Sequence, residues 1–177
     1  MSKESLIASL RTVADYPKKG ILFWDVTTLF KDPAAFKEVE DILYEEYKDK
    51  GITKVAGVES RGFVMGAALA SRLGAGFVLV RKPGKLPADT VSMEYQLEYG
   101  HDTIEIHTDA ITADDVVLVH DDLLATGGTA GAAVKLVKQF NPRKVYASFI
   151  IYLKSFGSLA KFPSDVPVKT VLELDGE

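Results

Sequence analysis

Short, wholly apolar runs alternate with helix-like segments along this chain, and that alternation restricts the fold more than any other feature. KVAGV (54–58) precedes GFVMGAALASRLG (62–74) and AGFVLV (75–80); later VVLVH (116–120) leads into TAGAAVKLVKQF (129–140) and KVYASFIIYL (144–153). A strand that is apolar on both sides must be covered on both faces, and a parallel sheet with crossover helices above and below meets that demand. The fold class is therefore α/β, a mostly parallel twisted sheet flanked by helices. With 177 residues, 47% of them hydrophobic, the chain can bury one full core, so a single domain over 1–177 is expected.

The first third reads differently. Leu6, Ile7, Leu10 and Val13 recur at helical spacing and predict a helix over 4–14. Pro17 and Gly20 then bracket basic residues ahead of ILFWDVTTLF, a loop leading into an extended stretch. Asp32 followed by Pro33 marks a helix start, because the carboxylate can accept free amides and proline sacrifices no hydrogen bond in the first turn. Phe36, Val39, Leu43 and Tyr47 mark one face of that helix, with Gly51 as its stop. Between the two strand–helix halves, RKPGKLPADTVSMEYQLEYGHDTIEIHTDAI (81–111) shows no core pattern until TIEIH and reads as a long irregular connection of the kind that usually serves function. No internal repeat or low-complexity tract is visible.

Charge and composition exclude several classes. A formal charge of −4 gives no domain-wide positive field, so no nucleic-acid partner is expected, although local basic clusters can still hold small anions. Without cysteine there is no disulfide framework and no thiolate nucleophile. The start MSKESLIASLRTV lacks a secretory apolar core, and no apolar run approaches the roughly 20 residues that span a bilayer, so a cytoplasmic chain with no membrane partner is expected. His101, His107 and His120 are scattered without ligand spacing, so no metal site built by the protein itself is predicted.

The stretch VVLVHDDLLATGGTA (116–130) carries the chemistry. In an open parallel sheet, ligands gather outside the carboxyl ends of strands, where the next helix offers free amides and a positive dipole end. VVLV reads as the strand and LLATGGT as the turn into a helix at about Thr129. Gly127 and Gly128 let the backbone approach a ligand, and Thr126 and Thr129 add hydroxyl donors, which makes a phosphate cradle. The paired acids Asp121 and Asp122 would repel a bare phosphate; a ribose 5′-phosphate reconciles both, with its 2′- and 3′-hydroxyls on the acids and its phosphate on Ala125–Thr129. The segment has no Gly-Lys-Ser/Thr ending and no GxGxxG, so it is neither a Walker loop nor a dinucleotide fingerprint.

VHDDLLATGGTA resembles the phosphoribosyl pyrophosphate (PRPP) motif of the type I phosphoribosyltransferases, and DDLLATGGT is close to the form in their adenine-specific branch. The resemblance runs nearly end to end: DYPKKGILFWDVTTLFKDPAAF is similar to the family's N-terminal hood, GVESRGFVMGAALA to its pyrophosphate loop, LVRKPGKLP to its basic loop and YQLEYG to its mobile catalytic loop. It implies a type I phosphoribosyltransferase fold with a small hood at about 1–32 and a mobile loop at about 86–102. His120, where the family most often has an aliphatic residue, is assigned to strand packing. Glu94 before Tyr95 replaces the family's usual serine and bears on loop closure.

The implied activity is purine salvage: adenine plus PRPP giving AMP and pyrophosphate, with inversion at C1′ and Mg²⁺ held mainly by PRPP and water. Arg61 has a physical case of its own, since a guanidinium grips phosphate oxygens in a fork that lysine cannot form. By resemblance Glu59, Ser60 and Arg61 form the pyrophosphate loop with a cis bond between Glu59 and Ser60. Lys82 and Lys85 help hold the pyrophosphate, and Arg81 reaches toward a neighbouring subunit's site, implying a homodimer. The Leu22 carbonyl and Trp24 amide read adenine, Phe23 and Leu123 sandwich it, Glu98 is the general acid/base and Tyr99 closes over the site. Two other readings stay open: a transferase for another base, and a PRPP- or nucleotide-sensing regulator that has lost catalysis. GILFWDVT and LEYG favour adenine, and no basic DNA-binding appendage is visible to serve a regulator.

Overall fold

The apolar runs pair as the alternation predicts. The computed structural model describes residues 1–97 and 99–176. Helix α1 (Lys3–Ser9), with the Ser2 hydroxyl accepting the Ser5 amide, leads to strands β1 (Arg11–Ala14) and β2 (Leu22–Asp25), which pair antiparallel, and to the short helix α2 (Thr27–Phe30). Helix α3 (Pro33–Tyr47) begins as expected: the Asp32 carboxylate accepts from the amides of Ala34 and Ala35 at 2.8 and 3.0 Å. Then follow β3 (Lys54–Val58), α4 (Arg61–Leu73) and β4 (Gly76–Val80). A hairpin of β5 (Thr90–Gln96) and β6 (His101–His107) precedes β7 (Val116–Leu124), α5 (Gly128–Lys138), β8 (Lys144–Leu153) and β9 (Val168–Leu174).

Strands β3, β4, β7, β8 and β9 form one sheet in the order β4-β3-β7-β8-β9, every pairing parallel. The chain steps outward from β3 to β4, then returns to lay β7 on the other side of β3. Strand order thus reverses between β3 and β7, and the crevice beyond their carboxyl ends is where an α/β sheet holds ligands. Side-chain alternation along β7 feeds both faces. Val117 and Val119 join a core with α5 residues such as Val134 and with Tyr95, Ile104 and Ile106 of the hairpin; Leu118 joins a second core with Val39 and Leu43 of α3 and Met65 and Leu69 of α4. Among the described residues, no helix is long and apolar enough to cross a membrane.

Four elements differ from the sequence reading. The first helix stops at Ser9, and Arg11–Ala14 forms a strand instead, with Val13 opposite Phe23. Pairing with β2 outweighs the helical spacing that Val13 suggests. The supposedly irregular connection contains the β5–β6 hairpin, in which Val91, Met93 and Tyr95 turn inward at a period of two. The prolines and glycines just upstream mask that alternation. Strand β7 does not end at Val119: Asp121 pairs with Phe149 and Leu124 with Tyr152, so both acids lie within the strand. Backbone pairing to β8 is indifferent to their charge. Finally, β9 supplies a fifth strand that the apolar-run pattern passes over, because Lys169 and Glu173 interrupt VKTVLEL.

The Asp32 cap satisfies two otherwise free amides at the start of a 15-residue helix. Asp32→Ala is expected to lower unfolding free energy by about 1 kcal/mol, read as a shift in urea midpoint at unchanged slope.

Candidate active site

Three loops converge at the point where strand order reverses. A cleft of about 270 Å³ is lined by Glu59, Ser60 and Arg61 after β3, by Arg81 and Lys82 after β4, and by Asp121 through Ala130 at the end of β7 and the start of α5. The Glu59–Ser60 peptide is cis, as the resemblance implies. Gly62 lets this loop press against β7: a Cβ there would lie 3.0 Å from both the His120 carbonyl oxygen and Asp121 Oδ1. No larger residue fits that approach without displacing the strand.

Every cation in the cleft is matched to a carboxylate. The Arg61 Nε donates to Asp122 Oδ2 at 2.5 Å, tying the ends of β3 and β7 together. Arg81 donates to Glu59 Oε2 at 2.9 Å while the Lys82 amide donates to Glu59 Oε1 at 2.5 Å. Burial pushes the Glu59 carboxyl up, but these two donors outweigh it and hold the group below the ordinary carboxylate range. Lys82 pairs through its ammonium with Asp102 on β6 and holds that carboxyl low as well. Asp121 is the exception. Burial and the neighbouring Asp122 charge push its carboxyl well above the usual range, because two adjacent acids in one recess do not ionise independently.

The turn Ala125–Thr129 leads directly into α5, whose first amides have no helical partners. Gly127 adopts φ +83° at the helix N-cap, a left-handed conformation that suits glycine. Thr129 Oγ1 donates to the Tyr95 hydroxyl at 3.2 Å, and that hydroxyl lies 3.2 Å from both Lys82 Nζ and Asp102 Oδ2. Tyr95 therefore links the Ala125–Thr129 turn, the basic loop and the hairpin. Sequence reading missed Tyr95 and Asp102; the available signal was the alternating pattern of VSMEYQ, which places Tyr95 directly opposite Asp102 in register.

A second recess of about 340 Å³ lies under the N-terminal strands, lined by Val13, Tyr16, Phe23, Asp25, Thr27 and Arg61. Phe23 meets Tyr16 edge to face with centroids 5.1 Å apart, and the Arg61 guanidinium carbon sits 5.5 Å from the Phe23 ring centre. Arg61 thus belongs to both recesses. Asp25, also missed, is locked in place: Thr27 donates to it through hydroxyl and amide, and Arg11 through its guanidinium. The Thr27 hydroxyl is the largest influence holding that carboxyl low.

In this arrangement the chain matches the phosphoribosyl transferase domain over residues 25–172. It is 59% identical to an adenine phosphoribosyltransferase of Bacteroides thetaiotaomicron, covering 98% of this chain and 99% of the relative. The chain belongs to the adenine phosphoribosyltransferase family. The solved adenine phosphoribosyltransferase of Rhodothermus marinus superposes with a TM-score of 0.92 at 47% identity, over 97% of this chain and 98% of that one. The enzyme of Giardia lamblia, solved with 9-deazaadenine, superposes at 0.91 with 36% identity and 98% coverage of each chain.

Against the residues that the family resemblance singles out, the fold gathers Glu59, Ser60, Arg61, Arg81, Lys82, Asp121, Asp122, Leu123 and the Ala125–Thr129 turn around the main cleft. Phe23 lines the second recess, while Trp24 packs its ring against the α3–α4 core, its Nε1 buried without a partner among the described residues. Leu22 lies beside them on β2. Lys85 is exposed and does not line the cleft. Tyr99 is 79% exposed, with the Lys18 ammonium 5.5 Å from its ring centre. Glu98 lies outside the described residues.

His120, one residue before the paired acids, is fully buried, with Nδ1 2.8 Å from Ser148 Oγ. Burial pushes its pKa down to about 4. The unfolded chain, with its ordinary histidine near 6.5, therefore binds a proton that the folded chain refuses. Stability is intact above pH 6.5 and is lost as the pH falls toward 4, at up to about 1.4 kcal/mol per pH unit. Urea midpoints at pH 7 and pH 5 should show this loss in the unaltered chain and a shallower one in His120→Val.

Proposed function

We propose that this chain transfers the 5-phosphoribosyl group of PRPP to adenine, releasing AMP and pyrophosphate. The observation that carries the reading is the convergence of Arg61, the Asp121–Asp122 pair and the Ala125–Thr129 turn on one cleft. A doubly phosphorylated ribose needs these three kinds of group: a forked cation, acceptors for a diol, and a cradle of free amides. The adenine relatives and the 9-deazaadenine held by the Giardia lamblia enzyme favour adenine as the base.

In this reading Thr126, Gly127, Gly128 and Thr129, with Ala125, hold the 5′-phosphate, and Asp121 and Asp122 hold the ribose hydroxyls. Glu59, Ser60, Arg61, Arg81, Lys82 and Lys85 serve the pyrophosphate end. The base stacks on Phe23 with Leu123 opposite, while the Leu22 carbonyl and Trp24 amide read its edge. The C1′–oxygen bond breaks toward pyrophosphate as a base nitrogen forms the new bond on the opposite face, inverting the centre. Carboxylates beside the ribose stabilise the cationic character that develops there. Glu98 takes the proton that the purine nitrogen loses, and Tyr99 closes over the site to exclude water.

Asp121 and Asp122 are adjacent hard oxygen donors, but the described residues contain no cluster of three His, Cys, Asp or Glu side chains able to cage a metal. A magnesium ion brought by PRPP would be held chiefly by PRPP oxygens and water, with these acids as further oxygen donors. When bound, it neutralises charge on the leaving pyrophosphate. The reading also includes one domain over 1–177 with a hood at 1–32 and a closing loop at 86–102, a cytoplasmic setting, and a homodimer. The exposed Leu79, two residues before Arg81 on edge strand β4, offers apolar surface for a second copy to cover.

Product formation from PRPP with adenine, hypoxanthine, guanine or orotate, with and without EDTA, tests the reading. Turnover of adenine alone, abolished by EDTA, is expected; PRPP binding without turnover on any base would favour a regulator. In Glu98→Ala, kcat should fall by about 10²- to 10⁴-fold, the usual worth of a general acid or base, with PRPP binding retained. Near-normal turnover in that variant would remove Glu98 from the mechanism.

A further inference from the structure

We infer that Lys161, outside the cleft, sets the 5′-phosphate cradle by orienting one peptide of its turn; the inference rests on the phosphoribosyl-transfer reading. The Lys161 ammonium donates to the Thr126 carbonyl oxygen at 2.8 Å. Thr126–Gly127 is not among the cis bonds, and in a planar trans peptide the carbonyl and the following N–H point in opposite directions. Drawing the Thr126 oxygen outward to Lys161 therefore turns the Gly127 N–H inward. Lys161 stands apart from the main cleft: it lines a neighbouring recess with Gln96 and Lys135 that meets the cleft only at Thr126, Gly127 and Gly128.

The rest of the segment fixes the same peptide from the same side. Residues Ser158–Lys161 form a 3₁₀ turn, and Ser158 is fully buried. A Cβ placed on Gly127 would lie 3.0 Å from Ser158 Cβ and 3.9 Å from Lys161 Cδ, so the segment abuts the turn where its backbone is left-handed. On the other side of Gly127, its carbonyl accepts the Gly131 amide at 2.8 Å and is spent on the first turn of α5. With both carbonyls claimed away from the cleft, the flanking amides are free to face a phosphate. The Lys161 charge also adds to the positive end of α5. Lys161 is a positioning residue: it acts through the Gly127 amide, not on the substrate.

Lys161→Met keeps the stem and removes the donor; Lys161→Arg restores a donor. In Lys161→Met the KM for PRPP is expected to rise roughly five- to tenfold, the scale of one lost hydrogen bond from a charged group at a partly solvated site. The kcat, the KM for adenine and the melting temperature should hold, and Lys161→Arg should recover most of the loss. Calorimetry with ribose 5-phosphate should show the same weakening, and with pyrophosphate none. Unchanged KM for PRPP in Lys161→Met, or equal weakening of both probes, would overturn the inference while leaving phosphoribosyl transfer intact. Absence of turnover in the unaltered chain would overturn the parent reading, and this one with it.

Discussion

The parallel pairing of β3 with β7 is the constraint from which the rest of the site follows. These neighbours in the sheet are separated in sequence by β4 and the hairpin, so their carboxyl ends belong to loops of independent sequence. Gly57 stands opposite His120 in that register, which places the loop after β3 level with the paired acids of β7. The glycine at position 62 then allows the start of α4 to close on β7, and the Arg61–Asp122 pair spans the remaining gap. A shift in register by one residue would move each acid to the other face of the sheet and dissolve the cleft.

The second organising feature is charge balance. The chain carries a net −4, yet its cleft must receive a polyanion. Arg61, Arg81 and Lys82 supply the cations, and each is held in place by a carboxylate from a different part of the chain: Asp122, Glu59 and Asp102. Such pairing fixes long side chains in one geometry before a ligand arrives, which reduces the ordering that binding must impose. It also means that anionic groups enter by competing with carboxylates already present. The raised Asp121 carboxyl eases that competition, since the burial and the Asp122 charge that oppose its ionisation weaken the negative field of the pair.

What the sequence made legible divides along physical lines. The buried strands, their helices, the Asp32 cap and the two glycine-bearing turns announce themselves because burial and dihedral demands act on residue type. Partly solvated strands do not: β1, β5 and β9 mix charged and apolar residues, and it is pairing with another strand that makes them strands. The Ala125–Thr129 turn, the paired acids and Arg61 were readable from their chemistry as groups to be gathered, and the fold brings them to one cleft. Tyr95 and Asp102 were not, because their importance lies in a cross-strand register that links Lys82 to Thr129. Ser158 and Lys161 were equally silent. Lys161 donates to a backbone carbonyl more than thirty positions away and Ser158 packs beside Gly127, and such partners leave no motif.

Base recognition is the extreme of that silence. If carbonyl and amide groups of Leu22 and Trp24 read the purine edge, the side chains there are free to answer to other demands, and Trp24 does so by filling the α3–α4 core. Only the path of the backbone is then selected. That path is held by the β1–β2 pairing, by the Tyr16–Phe23 edge contact and by Asp25, whose oxygens are engaged by Arg11 and Thr27. Arg61 reaches this assembly through the face of Phe23 while bonding to Asp122 in the main cleft. One side chain thus registers both recesses, so a change in the Arg61–Asp122 contact at one end alters the environment of the aromatic wall at the other.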